Sequence, residues 1–296
     1  MTTAPVPGLY TTDPKVDYPF LHQSLAHILV SQAPLHAWHK AFGGAEEEYT
    51  EATDRGQLAH ALLLGGKDIV IVEANDWRTN AAKAQRDEAR AAGKLPVLKH
   101  KLDDALELTD RVATELKDRG LALTGQSEVT VIWQTLTGVW CQGRMDHFLR
   151  GKNSARILDL KFSRSANPEM IGRSMFDYGY DIQAAAYTQA IETICPELAG
   201  RTEFIFVYIE PEPPHAITGA RPSGMMRGLG QSRWSRAVDL WRDNLEKYGT
   251  KEPWPDYSKE IVDVDPPARA MSQDIEACMV RDLMPETEEV PQGDMQ

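Results

Sequence analysis

Cysteine is scarce in this chain. Its 296 residues hold three, Cys141, Cys195 and Cys278, far apart. They form no CxxC zinc pair and no evident disulfide framework, which suits a reducing, cytoplasmic setting. Three are also too few for a four-cysteine iron–sulfur cluster within one chain. Long apolar runs are missing: none reaches the roughly 18 residues of a membrane span, so no membrane association is expected. The opening MTTAPVPGLYTTDP lacks a basic stretch followed by an apolar one, so no signal peptide is expected. Positive charge is in deficit as well, with 32 Lys and Arg against 44 Asp and Glu and a formal charge of -12. That excludes a uniformly basic nucleic-acid coat but leaves room for a local basic groove.

What is present is apolar content of 42%, enough for a sizeable core. The length fits one large domain or two modest ones. Residues 1–20 read as a flexible arm rich in Pro, Thr and Asp. Residues 21–264 read as the domain, and residues 265–296 as an acidic, disordered tail. Early apolar spacing predicts a helix over 23–31 and another after Pro34, and a buried helix over RGQLAHALLLG (55–65) ending at glycine. A short strand is predicted at 68–72, then helices over 78–92 and 97–118, separated by Gly93 and Pro96. EVTVIWQTL (128–136), VWCQGRMDHFL (139–149) and ARILDLKF (155–162) are β-branched or aromatic-rich and punctuated by turn residues, which predicts an antiparallel meander. A helix over 173–194, a central strand over 201–210 and a long helix over 230–248 follow. This is an α+β chain, a mixed central β-sheet flanked by helices.

The stretch ILDLKFS (157–163) carries the chemistry. Alternation puts Asp159 and Lys161 on one face and Leu158 and Leu160 on the other. Asp146, in the preceding strand, falls near the end of the same sheet face. Two carboxylates so placed repel unless a cation sits between them, and hard oxygen ligands select Mg²⁺ or Mn²⁺. Taken alone, a DxK triplet is most often a solvated pair on an edge strand; the apolar flanks and Asp146 argue otherwise. In YDIQAAAYTQA, Gln183 and Tyr187 are four apart on one helical face, with small alanines between them. His60, four residues after Gly56, could add an imidazole to the metal, and Glu128 another carboxylate; a core histidine and an exposed strand-start charge are the plainer alternatives.

GxxxH (Gly56, His60), Asp146, DLK (Asp159–Lys161) and QxxxY (Gln183, Tyr187), in this order, resemble the PD-(D/E)XK nuclease superfamily, most of all RecE-type phage and prophage exonucleases (exodeoxyribonuclease VIII-like). RTNAAK (78–83), YGYDIQAAAY (178–187) and EPWPDY (252–257) are similar to segments of that group. The resemblance covers roughly residues 20–260. It implies a restriction-endonuclease-like core, Mg²⁺-dependent cleavage with Mn²⁺ as substitute, and no iron–sulfur cluster. His60, Asp146, Asp159 and the Leu160 carbonyl would be metal ligands, with Glu128 reaching a metal directly or through water. Lys161 would position the attacking water, and Gln183 and Tyr187 would support the site and contact the DNA backbone. Arg144–Met145 stands where the eponymous proline would be. The resemblance further implies 5′→3′ resection of double-stranded DNA ends to 3′ overhangs, for recombination with a single-strand annealing protein (RecT/Bet-like), by a ring-shaped homo-oligomer. An iron–sulfur (Cas4-like) or single-strand-specific nuclease, or an inactive DNA-binding module, is the alternative.

Against a charge of -12, DNA needs clustered cations. Candidates include Arg78, Lys83, Arg164 and Arg173, the last two better placed because they follow the DLK strand. Trp38, Trp77 and Trp234 are candidates for stacking on an end base, with core packing as the alternative for each.

Overall fold

The structure, a computed structural model, describes residues 5–44, 51–66 and 68–266, and the side chains of all of these but 51–55. The chain divides into two compact units, Met1–Asp256 and Tyr257–Gln296. The expected tail at 265–296 lies almost wholly outside the described residues. In the second unit, residues 257–266 contain no helix or strand and are exposed.

In the first unit, helices α1 (Gln23–Ser31), α2 (Pro34–Phe42) and α3 (Glu51–Leu64) come first. Pro34 opens α2, where its missing N–H costs nothing. A small parallel pair follows, β2 (Ile69–Val72) with β3 (Leu95–Leu98), joined by α4 (Asn80–Ala91). Sequence patterning missed β3, since Pro96 reads as a breaker; it is tolerated because a two-stranded sheet is all edge. Helix α5 (Lys99–Asp118) leads to the main sheet.

That sheet has six strands in the order β1–β4–β5–β6–β7–β8. The expected meander is β4 (Gln126–Gln134), β5 (Trp140–Arg150) and β6 (Ala155–Phe162), each antiparallel to its neighbour. Strand β7 (Thr202–Ile209) runs parallel to β6, and β8 (Ile217–Ala220) antiparallel to β7, so the sheet is mixed. Residues assigned to the loose arm are ordered in part: β1 (Gly8–Tyr10) pairs with β4 at the sheet edge. Two long runs also differ. The stretch expected as one helix is two, α6 (Pro168–Asp177) and α7 (Tyr180–Ile194), and α8 starts earlier, at Gly224, and ends at Tyr248. The break falls at Gly179, whose φ of 70° lies in the left-handed region and whose absent Cβ leaves room for His27.

Alternation along β6 and β7 gives the sheet two apolar faces. Ile157, Phe204, Phe206 and Tyr208 pack with α7, α8 and α1. Leu158, Leu160, Ile205, Val207 and Ile209 pack on the other side with Leu108, Val112 and Leu116 of α5. A parallel β6–β7 pair needs a long crossover, which α6 and α7 supply. That crossover lays α7 over the face carrying Asp159 and Lys161. Among the described residues, no helix is long and apolar enough to cross a membrane.

Candidate active site

The DLK strand behaves as its alternation requires. Leu158 and Leu160 enter the α5-side core, while Asp159 and Lys161 face α7. Asp159 is 2% exposed, and its Oδ1 meets Lys161 Nζ at 2.5 Å. Gln183 bridges the pair: its Nε2 donates to Asp159 Oδ2 at 2.5 Å, and its Oε1 accepts from Lys161 Nζ at 3.1 Å. Tyr187, one helical turn on, accepts the Arg144 backbone N–H at 3.2 Å. It can come so close because Gly143 has no side chain; a Cβ there would stand 2.3 Å from the Tyr187 ring. Gln183 and Tyr187 are both 4% exposed. They brace the site from inside, and that burial leaves little surface for the DNA contact the resemblance implies.

Asp146 sits where the sheet opens. The β5–β6 ladder ends at His147 opposite Leu158, while β6 stays paired to β7 through Phe162. In place of a backbone partner, Asp146 Oδ2 accepts the Leu160 N–H at 2.7 Å. His60 on α3 reaches the same point, with Nε2 3.6 Å from Asp146 Oδ2 and 3.0 Å from the Leu160 carbonyl. Glu128 lies opposite Asp146, between the pairs Ser127–His147 and Val129–Met145. Its φ of 54° is unusual for a side-chain-bearing residue in a strand, and such strain concentrates at functional sites.

One ligand atom each from His60, Glu128 and Asp146 lies within 4.8 Å of the others. This three-residue group differs from the set the sequence suggested: Glu128 is in it, and Asp159 is not, being held by Lys161 and Gln183. An imidazole and two carboxylates beside a backbone carbonyl are a donor set for a divalent cation. Asp159 Oδ1 is buried and taken up by the Lys161 ammonium. The residues present therefore fit a metal ion.

Electrostatics agree with that fit. Burial first, and then the nearby Asp159 charge, push the Asp146 carboxyl from its ordinary 3.8 up to about 7. His60, Lys161 and the Leu160 N–H pull it back without cancelling the effect. Such a carboxylate lacks a counter-charge that a cation would supply. For Lys161, burial works against the ammonium, but the Asp159 and Asp146 charges outweigh it and hold the pKa above its ordinary value. Lys161 is therefore a charged donor, not a free base.

Sequence reasoning missed two residues here. Tyr180 puts its ring 4.3 Å from Lys161 Nζ, with Phe206 behind at 5.7 Å, so the ammonium rests on aromatic faces. Its signal was its place three residues before Gln183 on the same helical face. Arg144 pairs with Glu128. It stands two residues before Asp146 in the same strand.

A family model described as "PDDEXK-like domain of unknown function (DUF3799)" matches residues 26–262. The chain belongs to this PDDEXK-like family. A comparison with curated proteins finds no match. Among solved structures, the PDDEXK-like chain is similar to one described as "Putative exonuclease" from Eubacterium rectale. The TM-score is 0.55 at 14% identity, over 86% of this chain and 93% of that one. At that identity the likeness speaks to the fold. Another, described as SSO0001, aligns over 81% of this chain and 97% of that chain at 14% identity, with a TM-score of 0.28.

The candidate DNA-binding cations of this PDDEXK-like domain are all exposed and lie on different elements. Arg78 precedes α4 and pairs with Asp76; Lys83 is in α4. Arg173, in α6, pairs with Asp177, and Arg164 lies two residues past the end of β6. The tryptophans serve packing. Trp234 is 2% exposed and donates to Gln189, Trp38 donates to the Thr250 carbonyl, and Trp77 lies half-buried near Arg86.

Proposed function

We propose that this protein is a Mg²⁺-dependent 5′→3′ exodeoxyribonuclease that resects double-stranded DNA ends to 3′ overhangs. The observation that carries the proposal is the convergence of His60, Glu128 and Asp146 beside a charged Lys161 that Asp159 and Gln183 hold. Membership of a PDDEXK-like family and the fold shared with the Eubacterium rectale protein described as an exonuclease support nuclease chemistry. His60, Glu128 and Asp146 would hold the cation, with the Leu160 carbonyl and Asp159 Oδ1 as further donors. When bound, the ion would polarise the scissile phosphate, lower the pKa of a water and offset charge on the leaving 3′ oxygen. Mg²⁺ suits the oxygen donors, and the imidazole makes Mn²⁺ an able substitute.

The chain's own groups do the rest. Lys161, kept charged, hydrogen-bonds the attacking water and offsets charge developing on the phosphate. A carboxylate takes the proton of that water, since the ammonium has no room for one. Gln183 fixes both partners of the Asp159–Lys161 pair, and Tyr187 fixes the strand segment that carries Asp146. Arg164, two residues past the end of β6, and Arg173 are proposed phosphate contacts; Arg78 and Lys83 would extend the path. We also propose a ring-shaped homo-oligomer in the cytoplasm that hands its 3′ overhang to a single-strand annealing protein. A ring would keep acidic surface outside and cations at the bore.

Linear duplex labelled at either the 5′ or the 3′ end, incubated with Mg²⁺ or EDTA, tests the proposal. Release of the 5′ label by the wild type with Mg²⁺ alone, and none by Lys161→Ala, is expected. Equal digestion by that variant would refute the site, and earlier release of the 3′ label would refute the polarity.

A further inference from the structure

The turn between α6 and α7 carries an anomaly. Among the described residues of the first unit, Phe176 and Tyr178 are the Phe, Tyr or Trp side chains most open to solvent, at 46% and 66% exposed. Exposed aromatics usually sit on loops that can fold them away, but this turn is pinned. Arg233 donates to both oxygens of the buried Asp181, at 2.8 and 2.9 Å, and to the Phe176 carbonyl at 3.2 Å. Its guanidinium covers Phe176 at 4.4 Å from the ring centre. Gly179 seats the turn against His27, with no space for a Cβ. Tyr178 is thus held outward.

Tyr178 is also joined to the site. Its ring lies 5.7 Å from that of Tyr180, centre to centre and 36° from parallel, and Tyr180 covers the Lys161 ammonium. An aromatic series runs from solvent to the lysine that faces the scissile phosphate. Trp38, Trp77 and Trp234 are engaged in packing, and among the described residues of the first unit Tyr178 is the most exposed Phe, Tyr or Trp.

We infer that Tyr178 is the stacking platform for an unpaired nucleobase of the strand whose phosphate meets Lys161. The occupant is a base because the surface is a flat, rigid π-face beside a phosphodiester site, and every base presents a matching face. One side of the ring faces Tyr180; the exposed side takes the base. The ligand class is therefore a locally unstacked strand, and contact with it is tolerant of sequence. This inference rests on the nuclease reading for the identity of the strand.

The test uses oligonucleotide duplexes with frayed ends, carrying 2-aminopurine at successive terminal nucleotides, with Ca²⁺ in place of Mg²⁺ during binding. Wild-type protein should quench the fluorophore at one position. Tyr178→Ala should lose that quenching and bind with a Kd about tenfold higher, within the range for a lost stacked base. Tyr178→Trp should restore binding and quenching. An abasic nucleotide at the same position should weaken the wild type by a like factor and Tyr178→Ala by almost none. If the wild type cleaves DNA and Tyr178→Ala quenches and binds equally well, the platform is refuted. A Tyr178→Ala change in oligomer mass with unchanged DNA affinity also refutes it, assigning the ring to a subunit contact. Quenching that Tyr178→Ala loses, without cleavage by the wild type, upholds the platform and sinks the nuclease reading; neither quenching nor cleavage sinks both.

Discussion

At the scale of single residues, the site sets a charged lysine among groups that disagree about charge. Burial opposes the Lys161 ammonium, and Asp159, Asp146 and the Tyr180 ring favour it. Tyr180 should matter through its ring. Tyr180→Leu is expected to lower kcat by about tenfold with little change in KM, while Tyr180→Phe keeps most activity, since a desolvated cation–π contact is worth about 1–2 kcal/mol. Single-turnover kinetics on labelled duplex decide this, and equal loss in both variants would contradict it. Asp146 predicts a pH dependence. Its folded, metal-free pKa of about 7 lies above the ordinary 3.8, so the native chain keeps a proton that the unfolded chain gives up. The resulting stability is complete below the unfolded value and lost as pH rises through the folded one, a window of roughly pH 4 to 7. Thermal unfolding in EDTA should show that decline, Asp146→Asn should flatten it, and Mg²⁺ should raise the midpoint at pH 8 by mass action. A wild-type curve that rises across the window would overturn the assignment of Asp146 as a protonated buried acid.

At the scale of elements, the contact between α7 and α8 holds the helix that carries Tyr180, Gln183 and Tyr187. Gly230 of α8 lies against the Asp181 backbone, where a Cβ would stand 2.3 Å from the carbonyl oxygen. Gly228, two residues away in the same helix, has nothing within 4 Å of the corresponding position. Gly230→Ala should therefore destabilise by about 1–3 kcal/mol through overpacking, and Gly228→Ala should be neutral or stabilise by up to about 1 kcal/mol. Urea midpoints separate the two, and similar midpoints would show that α8 approaches α7 less closely. The Trp254 segment has a comparable fastening role: its ring is buried against Trp241 and Phe42, and the Pro255 carbonyl accepts the Leu35 N–H.

At the scale of the whole molecule, the proposed action on DNA requires a chain of net charge -12 to separate its charges in space. The proposed ring would achieve this, and its mass in sedimentation velocity should be an integral multiple of 33.1 kDa. A monomer at micromolar concentration would remove the ring from the proposal. DNA affinity should fall steeply with salt, since each phosphate contact releases counterions.

The sequence alone determined the meander, the placement of Asp159 and Lys161 on one face, and the pairing of Gln183 with Tyr187, because periods of 2 and 3.6 are local properties of strands and helices. It also carried the order of the motifs that resemble PD-(D/E)XK nucleases, in agreement with the family model that matches residues 26–262. It left undecided which carboxylates share one point. The choice of Glu128 over Asp159 beside His60 and Asp146 follows from where the β5–β6 ladder opens and from the backbone turn at Glu128. The short strand β1, the Pro96 strand β3 and the break at Gly179 were hidden for a related reason, since edge pairing and the packing of His27 decide them. Tyr180 reaches Lys161 only because a parallel β6–β7 pair forces a crossover that returns α7 over the sheet. Local pattern sets which way a side chain faces along its own element, and tertiary packing alone decides what it meets.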